Sequence, residues 1–293
     1  MRSGAILELD HVSLSYGETV VRDVSLTVEQ GEILALAGES GSGKTTLLRG
    51  ILGLPGTGIR LSGGGMYYDG MDLERMGRKE RSRLWGREIT MIFQDPGAAF
   101  NPIRSYRKQF AELLKSHGRF YGRESFDEVR ECLESLGLSD GERILASCPY
   151  ELSGGMNQRI AIAAAMLLKP RLLLADEPTS ALDVLTRKGV LDALLRMQKR
   201  TGTAMLFVTH DLGAAARVAG RIGIMCRGRL VECGETGRVL SQPEHPCTRS
   251  LLAAVPSPGQ RMQVPPRDGQ GPETVRQERG KADGRDSESG KNL

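Results

Sequence analysis

The chain has 293 residues, 39% of them hydrophobic, with 40 basic and 36 acidic side chains and a net charge of +4. That length suits one large α/β unit or two small domains, and the interspersed, nearly balanced charges argue against nucleic acid or another polyanion as partner. No apolar run reaches the roughly 18–20 residues that a membrane span requires, which argues against an integral membrane subunit.

Leu7, Leu9 and the residues around them meet Glu8 too early to form a secretory apolar region, so a cytoplasmic location is expected. From Ile6 to Val28 apolar and polar positions alternate around a turn at Tyr16, Gly17 and Glu18, which predicts antiparallel strands at the edge of the domain. Ile33 to Ala37 reads as a buried strand running into Gly38-Glu39-Ser40-Gly41-Ser42-Gly43-Lys44-Thr45. A helix is predicted over Lys44 to Leu52, closed by Gly53 and Pro55. Residues 56–65 read as a flexible connection, Met66-Tyr67-Tyr68 as a strand, and 75–87 as an Arg-rich segment.

After a strand at Ile89 to Phe93 the pattern becomes helical, with helices predicted at Tyr106–His117 and Ser125–Gly137 within a helical subdomain at about 98–165. The β/α pattern resumes with strand Arg171–Ala175, helix Val184–Arg200 and strand Ala204–Val208. Short strands follow at Ile222–Met225 and Leu230–Cys233, then a helix near Thr248–Ala254. The ordered domain is thus expected to span 5–255. Residues 256–293 hold few apolar side chains and are expected to be a disordered tail. Cys132, Cys148, Cys226, Cys233 and Cys247 are scattered without metal-site spacing and are expected to be buried or neutral thiols in a reducing compartment.

Strand, glycine-rich loop and helix in that order form a phosphate loop. Its glycines let backbone N–H groups approach phosphates at a helix N-terminus, and Lys44 adds a charge at the β and γ phosphates. Thr45 is placed to ligate Mg²⁺ and Thr46 to contact phosphate oxygen. Asp176 ends the apolar run Leu172-Leu173-Leu174-Ala175, so its carboxylate is expected at the strand's C-terminal edge, holding Mg²⁺ partly through water. Glu177 is then the expected group to polarise the attacking water. Tyr16 is a candidate for stacking on adenine.

Leu152-Ser153-Gly154-Gly155-Met156, followed by Gln158-Arg159, completes a set that resembles the ATP-binding subunits of ABC transporters. The resemblance runs from about Leu7 to Val255. Phe93-Gln94-Asp95-Pro96, Phe100-Asn101-Pro102 and His245-Pro246-Cys247-Thr248-Arg249-Ser250-Leu251-Leu252 look like the oligopeptide, dipeptide and nickel importer branch, with Cys247 in place of tyrosine and Met156 in place of the usual glutamine. It implies a P-loop ATPase fold: a parallel-sheet core, an antiparallel β edge subdomain and a helical subdomain.

The same resemblance implies ATP hydrolysis with Mg²⁺. Gln94 would join Mg²⁺ and water chemistry to the membrane partner, and His210 would contact the γ-phosphate. Leu152 to Met156 would cap the nucleotide of a partner ATPase, identical or homologous, and Ser180-Ala181-Leu182-Asp183 would lie at that dimer contact. Two permease subunits, with an extracytoplasmic solute-binding protein acting indirectly, are the implied partners at the cytoplasmic face of the membrane. The segment from Gln94 through Phe110 would face the permease. Import of peptides, nickel or metal chelates is the implied work. The alternative is a soluble ATPase of a non-transport enzyme assembly, resembling the one associated with carbon–phosphorus bond cleavage. Some relatives carry an iron–sulfur cluster on cysteines of a C-terminal extension; no cysteine follows Cys247, and no cluster is expected.

Overall fold

The computed structural model describes residues 4–53 and 56–254. The expected tail at 256–293 lies outside the described residues.

Strands β1 (Ala5–Tyr16) and β2 (Glu18–Glu29) form an antiparallel hairpin, and β3 (Ile33–Gly38) leads into the phosphate loop and α1 (Lys44–Leu52). β4 (Arg60–Tyr68) and β5 (Met71–Asp72) complete a four-stranded sheet in the order β2-β1-β4-β5. Then come α2 (Arg78–Leu84), β6 (Ile89–Ile92), and the helices α3 (Tyr106–Ser116), α4 (Glu124–Ser135), α5 (Gly141–Ala146) and α6 (Gly154–Leu167). β7 (Leu172–Asp176), α7 (Val184–Thr201), β8 (Ala204–Thr209), α8 (Leu212–Val218), β9 (Arg221–Cys226), β10 (Arg229–Glu235), α9 (Thr236–Ser241) and α10 (Pro246–Ala253) follow.

The second sheet has the order β10-β9-β3-β8-β7-β6, with five parallel strands and β10 antiparallel at one edge. Its central strands are buried on both faces, and successive residues point to opposite sides. Leu34, Leu36, Leu172, Leu174, Leu206 and Val208 join α1 and the antiparallel sheet in one core. Ala35, Ala37, Leu173, Ala175, Met205 and Phe207 join the helices in the other. A continuous apolar run in these strands is what two cores require.

The expected flexible connection over 56–65 is corrected from Arg60 onward, where the chain is strand and pairs with β1. The Gly63-Gly64-Gly65 run marks a bulge rather than a linker: the register shifts between Asp10 and Ser13, and Gly64 takes a φ of 80°. A Cβ on Gly64 would come 2.3 Å from the carbonyl oxygens of Asp10 and His11. Gly64→Ala is therefore expected to cost about 1–3 kcal/mol of stability. A thermal midpoint equal to that of the wild type would contradict this.

The expectation of five free thiols is also corrected. Cys226, at the end of β9, and Cys247, in the first turn of α10, form a disulfide, while Cys132, Cys148 and Cys233 are free. Their separation of 21 positions carried no sequence signal. The Glu232 carboxylate on β10 brings them together by accepting from the backbone N–H groups of Glu244 and His245, at 3.1 Å each, and from the Thr248 hydroxyl. Although desolvation opposes it, these three donors hold Glu232 below the usual carboxylate range.

Candidate functional site

The site lies at the C-terminal ends of the parallel strands, where β3 turns into α1. Gly38 must be glycine here because a Cβ would meet the Met225 carbonyl oxygen at 2.3 Å. Loop and neighbouring strand end are thus in backbone contact. Lys44 is 5% exposed. Its ammonium donates to the carbonyls of Gly38 and Glu39, both at 2.8 Å, and to Ser42 Oγ at 3.3 Å. Burial pushes the Lys44 pKa down, against the opposing fields of Glu177 and Asp176. An amine held by neutral carbonyls inside a glycine loop is poised to exchange those weak partners for phosphate oxygens.

Thr45 Oγ1 donates to Asp176 Oδ1 at 3.0 Å, and Asp176 is 1% exposed. Desolvation raises the Asp176 pKa, the Thr45 hydrogen bond opposes it and Glu177 adds to it. Two hard oxygen donors side by side, the Thr45 hydroxyl and a nearly buried carboxylate, fit a small divalent cation of the Mg²⁺ type. Gln94 lies two residues beyond Ile92, the partner of Ala175 in the sheet, so it shares this strand-end edge. It is exposed, and no described hydrogen bond joins it to Thr45 or Asp176.

Glu177 holds a φ of 46°, uncommon for a residue with a side chain, and its N–H donates to Val208 O at 3.0 Å. The sheet thereby fixes a strained backbone directly after β7. Glu177 Oε2 is 3.0 Å from His210 Nδ1, and the carboxylate is far less exposed than the ring, 15% against 59%. The structure therefore brings together Lys44, Thr45, Asp176, Glu177 and His210. Tyr16 is 62% exposed at the end of β1, and its ring lies against Gly58.

Ser153 is the N-cap of α6, accepting from Met156 N at 3.3 Å, and Ser153 and Gly154 are exposed. No described hydrogen bond or ion pair links them to the phosphate loop of their own chain. Gly155 packs against Leu182 and the Ala181 carbonyl, so the α6 N-terminus and the 180–183 turn form one surface. Gln158, fully buried, ties α6 to the segment leading into this turn by donating to Pro178 O at 2.9 Å. Within 180–183, Leu182 is 5% exposed and belongs to the core, while Asp183 caps α7 through the N–H groups of Leu185 and Thr186. Ser180 and Ala181 are exposed.

One connection had no sequence signal of its own. Arg187 donates to the Leu182 carbonyl at 3.2 Å and pairs at 2.5 Å with Asp211, the residue after His210. Asp211 in turn caps α8 through Ala214 N. Arg187 thus couples the 180–183 turn to the His210 loop. Arg187→Ala is expected to lower turnover roughly tenfold through misplacement of His210, with nucleotide affinity kept. An unchanged kcat would remove Arg187 from the site.

Residues 21–180 match the family described as ABC transporter. The oligopeptide transport ATP-binding protein OppD of Bacillus subtilis is 38% identical over 266 residues, which cover 88% of this chain and 74% of OppD. The dipeptide transport ATP-binding protein DppD of Escherichia coli is 38% identical over 259 residues, covering 86% and 79%. Among solved structures, the ATP-binding cassette MJ0796 in a dimeric post-hydrolysis state bound to ADP and Pi aligns with a TM-score of 0.69 at 27% identity. That alignment covers 78% of this chain and 98% of the cassette.

Proposed function

The chain belongs to the ABC transporter family as an ATP-hydrolysing subunit, and on that premise we propose that it energises peptide import through a membrane permease pair. The observation that carries the catalytic part is the contact of Glu177 with His210 beside the Lys44–Thr45–Asp176 cluster. Lys44 and the loop N–H groups bind the β and γ phosphates, and Tyr16 stacks on the base. Thr45 and Asp176, with Gln94 on closure, would hold Mg²⁺, which when bound neutralises charge on the transferring phosphoryl group. Glu177 accepts the proton of the attacking water. His210, whose Nδ1 lies 3.0 Å from Glu177 Oε2, has Nε2 left for the water or the γ-phosphate oxygen.

The exposed Ser153 and Gly154 at a helix N-terminus form an anion cradle with no described hydrogen bond to the chain's own phosphate loop, and they supply the cap on a partner's nucleotide. Support comes from the MJ0796 cassette, which is described as a dimer with ADP and Pi. OppD and DppD are named for oligopeptides and dipeptides, which favours peptide cargo over nickel or a metal chelate. Among the described residues no helix is long and apolar enough to cross a membrane. The docking face is an apolar groove of about 460 Å³ that includes Phe93, Phe100, Leu113 and Ala164, directly beside Gln94.

The experiment is mass spectrometry of proteins retained by Glu177→Gln from detergent-solubilised membranes in Mg-ATP. Two permeases, with a second ATPase or another copy of this chain, are the expected companions. Soluble enzyme subunits without permeases would move the chain to a non-transport assembly.

A further inference from the structure

The Cys226–Cys247 bridge abuts the nucleotide site. Met225 pairs with Gly38 at the start of the phosphate loop, and Cys226 follows it at the end of β9. Two residues later, Gly228 N–H donates to Ser42 O at 3.1 Å, and Gly228 O accepts from Arg22 N at 2.8 Å. A cavity of about 80 Å³ is lined by Ser40, Gly41 and Ser42 of the loop together with Cys226, Cys247 and Leu251. The bridge therefore ties the β9–β10 turn, which holds the loop from outside, to the first turn of α10.

The pair is positioned by contacts that do not depend on the bond. Glu232 fixes the start of α10 through Glu244, His245 and Thr248, and His245 Nδ1 accepts from Cys247 N at 3.1 Å. The two Cα atoms are 6.5 Å apart, inside the range that bridges without backbone movement. Reduced thiols would stay within reach of each other. Both residues are half-buried, open to a small reagent, whereas burial pushes the Cys132 thiol up to about 12. Disulfides in chains that work in a reducing compartment are characteristically transient or redox-sensing.

We propose that Cys226 and Cys247 are a reversible dithiol–disulfide modification site that sets nucleotide affinity by tethering the outer side of the phosphate loop. Its redox setting rests on the reading of the chain as a cytoplasm-facing ATPase. The oxidant is a low-molecular-weight disulfide of the glutathione class. One cysteine thiolate attacks its S–S bond, forming a mixed disulfide and expelling one small thiol; the second cysteine thiolate then attacks the protein sulfur and expels the other. Two electrons pass from the cysteine sulfurs to the small disulfide, and the two protons lost by the cysteines end on the two released thiols. Small thiols in excess reverse both steps.

A tethered loop has less freedom to lose when it closes around phosphates, so the oxidised form binds nucleotide more tightly, roughly three- to tenfold. By linkage, bound nucleotide then favours the disulfide by the same factor. The test uses the full chain equilibrated in glutathione buffers of graded ratio, with and without MgADP, which avoids turnover. Peptide mapping of the bridge and the Kd for a fluorescent ADP analogue are read at each ratio. The expected result is a Cys226–Cys247 bridge whose formation shifts toward weaker oxidant with MgADP, together with tighter binding by the oxidised form. A chain carrying both Cys226→Ser and Cys247→Ser should bind as the reduced wild type does, indifferent to the buffer. Equal affinity of the oxidised and reduced wild-type chains, or two thiols that stay alkylatable in oxidised glutathione, would overturn the proposal without any need for the variant. Neither result bears on co-purification with permeases, so the two proposals fail separately.

Discussion

Glu177→Gln is expected to lower steady-state ATP turnover by about 10²- to 10⁴-fold while MgATP binding persists, because an amide cannot accept the proton of the attacking water. The substitution keeps the size of the side chain and its contact with His210, whose Nδ1 lies 3.0 Å from a carboxylate oxygen. It also keeps the backbone N–H bond to Val208 that fixes the residue at a φ of 46°. Lys44 is expected to hold its place as well, since its nearest partners are the carbonyls of Gly38 and Glu39. The variant should therefore trap the nucleotide-bound state. Turnover within a few-fold of wild type would show that another group activates the water, and loss of ATP binding would show that Glu177 is structural.

The second large effect is expected at the α6 N-terminus. Ser153→Arg puts a bulky side chain on an exposed helix cap that has no described contact with its own phosphate loop. Nucleotide should still bind to the isolated chain, while turnover falls about 100-fold because the partner's γ-phosphate loses its preorganised donors. Lys44→Ala fails at the other step: it removes the loop's buried ammonium and weakens binding about 10- to 100-fold, the scale of a hydrogen bond to a charged group, so at MgATP well below its Kd its own loop stays empty and turnover is lost. Mixing the two variants in assemblies that hold two copies of this chain should restore turnover that neither has alone, since one intact phosphate loop then faces one intact Ser153. A mixture as inactive as its parents would argue that each chain completes its own site.

Much of the candidate site's arrangement was legible because a phosphate loop and a buried strand end leave a local trace. A loop that must wrap phosphate needs glycines, a lysine and a following helix at fixed spacing, and Asp176 closes a run of buried strand residues. The parallel core was legible for the same reason, since Leu172 to Ala175 must be apolar at every position when alternate residues enter different cores. What stayed hidden depends on residues far apart in the chain. Gly63 to Gly65 read as a linker, yet they form the bulge that lets β4 pass close to Asp10 and His11. Arg187 gave no sign of joining Leu182 to Asp211, and Cys226 gave none of meeting Cys247. Leu182 sits inside a surface motif, but its side chain turns into the chain's own core. Short α8 was missed because seven residues show little periodicity, although Asp211 was a visible N-cap.

The most direct measurement is uptake of labelled di- and oligopeptides by proteoliposomes carrying the membrane complex that contains this chain, with MgATP on the side of the nucleotide site. The account predicts ATP-dependent peptide accumulation that is lost with Glu177→Gln although the complex still assembles. Accumulation undiminished by Glu177→Gln, or ATP hydrolysis by the wild-type complex with no peptide moved, would contradict it.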